Sequence, residues 1–198
     1  MKLPKDLYII GLTGGSGAGK SLVAARLAHH GIPTLDTDLV SRKVTEKGAP
    51  CLDALAAHFG KEFLLPDGSL DRIALGAIVF APGANELRAK LNEITHAIVL
   101  AAVRKAIADT DKTCAVIDAP LLFEANFEKE CDFTVALLAS PELRLSRLTL
   151  RDNRTAEALR ARMNAAPADE FYSSRATYTV INDGDADKLR AAAKNILK

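Results

Sequence analysis

The stretch "LYIIGLTGGSGAGKSLVAARLAHHG", Leu7 to Gly31, decides the fold. A short apolar, β-branched run leads into a glycine-rich loop and then an amphipathic segment, so the order reads strand, loop, helix. Gly14, Gly19, Lys20 and Ser21 satisfy the spacing G-x-x-x-x-G-K-[ST]. Glycines let successive backbone N–H groups turn inward on one point. A helix starting there adds its own unpaired N–H groups and the positive end of its dipole. Lys20 brings a mobile positive charge for phosphate oxygens, and the Ser21 hydroxyl is a hard oxygen ligand for Mg2+. A glycine turn with a stray lysine would match the composition alone. The strand before the loop and the helix after it favour a loop built for a nucleoside triphosphate.

With 198 residues the chain can bury one sizeable core. Apolar residues make up 48% and charged residues 26%, as in an ordinary globular protein. A net charge of +1 provides no global field for nucleic acid or an anionic membrane, so neither is expected as a partner. No apolar stretch approaches the ~20 residues that cross a bilayer. "MKLPKDLYII" runs directly into the first strand, so no signal peptide is expected. Cys51, Cys114 and Cys131 are odd in number and widely spaced, offering neither a disulfide framework nor a metal-ligand pair. Cys114 and Cys131 fall in or beside apolar runs and are expected as buried thiols; a reducing cytoplasm fits the set.

Four more strand-like segments alternate with helical ones: "IPTLD" (Ile32 to Asp36), "CAVIDAP" (Cys114 to Pro120), "DFTVALLAS" (Asp132 to Ser140) and "TYTVIND" (Thr177 to Asp183). Gly31 is a helix stop before the first of them. Continuous apolar runs belong to strands covered on both faces. With helices between, they predict an α/β protein with a doubly wound, mostly parallel five-stranded sheet. The stretch 37–111 reads as helical, in "DLVSRKVTEKG", "APCLDALAAHFG", "LDRIALGAIVFA" and a long helix from about Ala84 to Asp109. "LLPDGSLD" is a turn, with Ser69 or Asp71 available as a helix cap. This stretch is expected to be an insertion beside the sheet's carboxyl edge, not a separate folding unit. The expected layout is one domain, 1–198, with a nucleotide-binding core of 1–36, 112–140 and 176–198, the insertion 37–111, and a lid region 141–175. In the long helix Leu87, Leu91, Ile94 and Ile98 form one apolar stripe, while His96, Val99, Leu100, Val103 and Ile107 form another face. From His96 onward the helix is therefore expected to be buried on two sides. A histidine there is a satisfied core residue more often than a catalytic one.

The remaining motifs narrow what the phosphate loop serves. The N-K-x-D of guanine-specific GTPases and the LSGGQ-like signature of ABC ATPases are both missing from the sequence. In "VIDAP", alanine follows Asp118 where hydrolytic ATPases carry a water-activating glutamate, so transfer to an acceptor other than water is the better reading. "LDTD" puts Asp36 and Asp38 just past the second strand, at the edge where ligands of open α/β folds bind. One can orient the acceptor hydroxyl and take its proton while the other serves magnesium or caps the next helix; both are also common helix-start residues. "SPELRLSRLTLRDNR" opens with Ser140 as a cap and Pro141 in the first turn. Arg144, Arg147 and Arg151 fall within about a sixth of the helical circle, with Leu143 and Leu150 on one side and Leu148 on the other. Arginines set among leucines point to convergence on an anion. With Arg154, Arg160 and Arg162 nearby, the segment reads as a mobile lid, against the alternative of a basic exposed helix.

Together these motifs resemble the dephospho-CoA kinase family over nearly the whole chain. That family's loop reads like "GLTGGSGAGKS"; its D-x-D-x-x-x-R is matched by Asp36, Asp38 and Arg42, and its D-G-x-L-D-R by Asp67 to Arg72. Val79 and Phe80 match a "VF" pair, Ile94 to His96 match I-T-H, Pro120 to Glu124 keep P-L-L-F-E intact, and Asn182 and Gly184 give N-x-G.

The resemblance implies a P-loop kinase fold with a helical acceptor-binding insertion and a helical lid. It implies ATP-dependent phosphorylation of the ribose 3′-hydroxyl of dephospho-CoA, the last step of coenzyme A synthesis, with Mg2+ beside ATP. ATP contacts would come from Gly15, Ser16, Gly17, Ala18, Gly19, Lys20, Ser21, Leu22, Arg147 and Arg151. Acceptor contacts would come from Asp36, Asp38, Arg42, Arg72, His96, Leu122, Phe123 and Glu124. Asp38, Lys20 and Arg147 carry the catalysis in this reading, and Ser21 holds magnesium, helped through water by Asp36 or Asp118. Leu22 stands where the family usually has threonine, Ala97 where it has proline, and Asn164 near the place of a glutamine. "NAAPADEFYSSRAT" matches loosely. A nucleotide or shikimate kinase is the nearest rival, against which P-L-L-F-E and the long insertion count. A nucleotide-binding switch without transfer activity is the other, against which Lys20, Ser21 and Asp38 count. A monomer or small homo-oligomer is expected.

Overall fold

The computed structural model describes residues 7–110, 112–152 and 154–184. The ends of the expected nucleotide-binding core, 1–6 and 185–198, lie outside the described residues. In chain order the elements are β1 (Tyr8–Thr13), α1 (Lys20–His29), β2 (Thr34–Asp36), α2 (Thr37–Val44), α3 (Pro50–Phe59), α4 (Arg72–Val79) and α5 (Asn85–Ala108). β3 (Cys114–Asp118), β4 (Phe133–Leu138), α6 (Pro141–Arg151), α7 (Ala156–Asn164), α8 (Asp169–Ser173) and β5 (Tyr178–Ile181) follow. These elements form two compact units: Asp36–Thr110, and the described residues on either side of that stretch.

The sheet has the order β2-β3-β1-β4-β5 and is parallel throughout. β1 is central, with Leu12 opposite Asp118 of β3 and opposite Val135 of β4. Because every strand runs the same way, the segments leaving β1, β3 and β4 emerge on one edge, which is where a doubly wound sheet carries its ligand. The unbroken apolar strands are explained by cover on both faces. Ile10, Leu12, Val116, Val135, Leu137 and Val180 pack with Ala18 and Ala24, while Ala136 and Leu138 pack with Tyr172 of α8. Gly31, at φ 78°, takes the chain out of α1. Ser140 caps α6 through the Leu143 amide at 3.3 Å, with Pro141 in the first turn.

In the Asp36–Thr110 unit the helix starts are also written in the sequence. Asp36 Oδ1 accepts from the amides of Asp38 (2.8 Å) and Leu39 (3.1 Å), capping α2. Asp71 caps α4 through Ile73 (3.1 Å) and Ala74 (2.9 Å), whereas the Ser69 hydroxyl and amide donate to Asp67. α2, α3 and α4 pack on α5. Only one of the two apolar stripes of α5 is buried: Val99, Val103 and Ile107, spaced four apart. From His96 onward Ile98 and Leu100 are half-buried and Ala101, Arg104, Lys105 and Ala106 are exposed, so the expected burial on two sides is not realised; earlier in the helix Leu87 is exposed and Leu91 and Ile94 are half-buried. Cys114 and Cys131 are also half-buried rather than buried. Burial and the neighbouring Glu128, Glu130 and Asp132 push the Cys131 thiol up to about 12, so it stays protonated and inert. Among the described residues no helix is long and apolar enough to cross a membrane.

Candidate active site at the phosphate loop

The loop from Gly14 to Gly19 joins β1 to α1, and each of its carbonyls has a donor. Gly14 O accepts from Lys20 Nζ at 2.7 Å, and Gly15 O from the Ala18 amide at 3.1 Å. Ser16 O accepts from Arg144 Nε at 2.9 Å and Gly17 O from Arg147 Nη1 at 3.2 Å. Ala18 O accepts from Asn182 Nδ2 at 2.8 Å and from Arg147 Nη1 at 3.5 Å. Gly19 O accepts from the first amides of the helix, Leu22 (3.1 Å) and Val23 (3.2 Å). In a trans peptide the N–H points opposite to the C=O. Holding the carbonyls of Ser16 and Ala18 toward Arg144 and Asn182 therefore aims the amides of Gly17 and Gly19 to the other side. That is the construction of an anion-binding nest, reinforced by the positive end of α1.

Glycine is required at two of these positions for reasons beyond freedom of rotation. At Gly14, φ 135°, a Cβ would collide with the carbonyl oxygen of Leu137 in β4. At Gly19, φ 104°, it would run into the carboxamide of Asn182. The loop is thus pressed against β4 on one side and against Asn182, which follows β5, on the other.

Ser21 lies in the first turn of α1. Asp118 is buried at the end of β3, where the Ala119 amide donates to Leu12 O at 3.0 Å and the Thr13 hydroxyl to Pro120 O at 3.4 Å. A hydroxyl and a carboxylate are hard donors, and among the described residues no group of three or more His, Cys, Asp or Glu could hold a metal alone. Hard oxygen donors of this kind suit Mg2+, which keeps water and phosphate oxygens in its shell.

The three arginines of α6 do not converge on one point. Arg144 is 6% exposed, and besides Ser16 it meets Asp169 of α8 through Nη1 at 3.2 Å. Arg147 is half-buried and reaches Asn182 O (3.2 Å) and Oδ1 (3.4 Å) in addition to the loop. Arg151 is exposed and pairs with Asp152 at 2.7 Å, and Arg162 reaches the same carboxylate at 3.5 Å. Helical spacing put the three on one arc, but their long side chains leave it in different directions. Arg154 and Arg160 are exposed.

The P-L-L-F-E segment divides its work. Leu122 is 0% exposed, its methyls occupying the space that a Cβ on Gly11 would take. Its side chain is therefore core, so an acceptor contact at this position falls to its backbone. Ala18, 1% exposed, is likewise core by side chain and offers the loop only its backbone. Phe123 meets Phe171 edge-on at 6.2 Å, and the Arg175 guanidinium lies 4.2 Å over the Phe171 ring. Crowding by the surrounding protein holds the Glu124 carboxyl above its usual range, with the charge of Arg175 partly offsetting it. Burial, and then the charge of Glu124, raise the Tyr172 hydroxyl.

In the Asp36–Thr110 unit, Asp36 is committed as the cap, and Asp38 follows in the first turn of α2. Arg72 joins two of the sequence motifs: its Nη2 donates to Arg42 O at 3.3 Å and to the Thr45 hydroxyl at 2.5 Å. His96 is half-buried, and burial lowers its pKa, favouring the neutral ring. Sequence reasoning assigned no site role to Asp169 or Asn182, and placed Arg144 only in the arginine arc expected to converge on an anion. The N-x-G pattern was a signal for Asn182 and the arginine arc one for Arg144, though not for the carbonyl it holds; Asp169 carried none that could be separated from ordinary helix surface.

A parallel sheet with a G-x-x-x-x-G-K-S loop on its central strand and an arginine-bearing helix after β4 defines a P-loop kinase. A model of the dephospho-CoA kinase family matches residues 8–188. A dephospho-CoA kinase from Listeria innocua is 38% identical over 184 residues, 91% of either chain. The chain belongs to the dephospho-CoA kinase family. A solved structure from Thermus thermophilus is similar with a TM-score of 0.83 and 32% identity, covering 99% of this chain and 97% of that one. Shikimate kinase from Bacteroides thetaiotaomicron shares the fold alone, with a TM-score of 0.54 and 16% identity over 96% of this chain and 95% of that one. The fold therefore does not choose the acceptor, whereas the family match does.

Proposed function

We propose that this chain transfers the γ-phosphoryl group of ATP to the ribose 3′-hydroxyl of dephospho-CoA, giving coenzyme A and ADP. The observation that carries this reading is a phosphate loop braced with its carbonyls outward, in a chain matched to the dephospho-CoA kinase family from residue 8 to residue 188. Lys20 and the amides of Gly15 to Ser21 hold the β- and γ-phosphates, with Leu22 adjoining them. Ser21 would hold Mg2+, assisted through water by Asp118 or Asp36; when bound, the ion offsets negative charge on the phosphates. Asp38 orients the acceptor hydroxyl and takes its proton. Arg147 and Arg151, in the lid region 141–175, offset the charge of the transferring group, a role that needs them to leave the loop carbonyls and the Asp152 carboxylate they meet here. The insertion 37–111 binds dephospho-CoA through Arg42, Arg72 and His96, together with Phe123 and Glu124 of P-L-L-F-E. The reaction belongs in the cytoplasm.

Incubation with Mg-ATP and dephospho-CoA tests this directly, with adenosine, nucleotides and shikimate as control acceptors. Equal amounts of coenzyme A and ADP are expected. Phosphorylation of a control acceptor in place of dephospho-CoA would replace the reading with a rival kinase, and tight nucleotide binding without any transfer would replace it with a switch.

A further inference from the structure

The Ser16–Gly17 peptide is one of three in the phosphate loop whose carbonyl is held from outside the loop. Gly17 sits at φ 82°, in the left-handed region, and a peptide unit beside a glycine reorients at little steric cost. No amide of the loop holds its carbonyl; Arg144 Nε does, at 2.9 Å, from a residue that is 128 positions away. Arg144 is itself fixed on three sides. Its Nη1 meets Asp169 Oδ1 at 3.2 Å, its guanidinium lies where a Cβ on Gly15 would come within 2.6 Å of Nη2, and its carbonyl lies where a Cβ on Gly17 would come within 2.7 Å. The side chain is only 7% exposed, so this is a buried cation directly behind a loop shaped for anions. Only a guanidinium can donate to Ser16 and Asp169 at once through separate nitrogens; a lysine ammonium has no such fork.

We propose that Arg144 is a positioning residue, which holds the Ser16–Gly17 peptide so that the Gly17 N–H faces the nucleotide's terminal phosphates, with Asp169 holding Arg144. The proposal rests on the phosphate-loop reading and not on the identity of the acceptor. A cation that served packing alone would weaken the whole fold on removal and would not distinguish ligands with phosphates from ligands without them.

The test compares ADP and adenosine, each displacing a fluorescent nucleotide from the full chain, in Arg144→Met, Arg144→Lys and Asp169→Asn, alongside turnover with dephospho-CoA. Arg144→Met should weaken ADP about tenfold, the worth of one hydrogen bond to a charged group. Adenosine should stay within a factor of about two, and turnover should fall at least as far as ADP affinity. Arg144→Lys should recover less than half of the ADP loss. Asp169→Asn keeps the Nε bond and removes a partly exposed pair, so an ADP-selective loss of about threefold is expected. If ADP and adenosine weaken in parallel, or if both keep wild-type affinity in folded Arg144→Met, the proposal is overturned. Should Arg144→Met fail to fold, Asp169→Asn decides alone: an unchanged ratio of ADP to adenosine affinity overturns it. Failure of the wild-type chain to phosphorylate dephospho-CoA would remove the acceptor assignment while leaving the ligand ratio as a valid measure of Arg144.

Discussion

Replacing Asn182 probes how much of the phosphate loop depends on a residue far from it in sequence. Its carboxamide donates to Ala18 O at 2.8 Å, across 164 positions, and both residues are buried, at 6% and 1% exposure. Asn182→Ala removes that donor and leaves Ala18 O with the 3.5 Å contact from Arg147, too long to replace it. An under-satisfied buried acceptor costs about 1–3 kcal/mol. For a chain of this size that corresponds to a fall in melting temperature of roughly 2–4 °C per kcal/mol. Asn182→Leu is the control, since it keeps nearly the same shape, fills the space and lacks the donor. If the hydrogen bond is what matters, both variants should melt several degrees below the wild type and both should bind ADP more weakly, because the Gly19 amide loses its orientation along with the Ala18 carbonyl. Thermal melts followed by circular dichroism, with ADP titrations on the folded variants, give both quantities. An Asn182→Leu variant that melts and binds like the wild type would refute the reasoning and leave Asn182 as filler.

Lys20→Ala should abolish measurable turnover and weaken ATP, since Lys20 supplies the loop's mobile charge; near-normal turnover in a coupled ADP-release assay would remove the loop from the chemistry. Asp38→Asn should leave ATP and dephospho-CoA binding in place, by calorimetry, while single-turnover transfer drops by roughly 10²–10⁴, the worth of a positioned base. The lower end is expected because the proton leaves late in a loose transition state. Arg147→Ala should lower turnover further than it lowers ADP affinity; a loss within about twofold, some 0.4 kcal/mol, would confine Arg147 to bracing Gly17 and Ala18.

What could be read from the sequence was whatever depends on neighbours along the chain. The strand-loop-helix order of Leu7 to Gly31, the cap at Asp36, the stop at Gly31 and the Ser140–Pro141 helix start are fixed within a few residues. The structure has each of them where the pattern predicts. The parallel sheet was legible for the same reason, because a strand covered on both faces announces itself by an unbroken apolar run. What failed was what depends on the direction of a long side chain or on which face finds a partner. The wheel of α6 ranks Arg144, Arg147 and Arg151 as equals. Yet the first is buried under the loop, the second spans the loop and Asn182, and the third lies on the surface against Asp152. Leu122 is a residue inside a family signature whose side chain serves the core beside Gly11. The scatter of the arginines follows from one property of the loop. Its amides can face a phosphate only if its carbonyls are held from behind, and residues 16 to 18 do not supply the donors for that themselves. The donors have to come from elements remote in the chain, so a local pattern can mark Arg147 or Asn182 without naming the carbonyl it will hold.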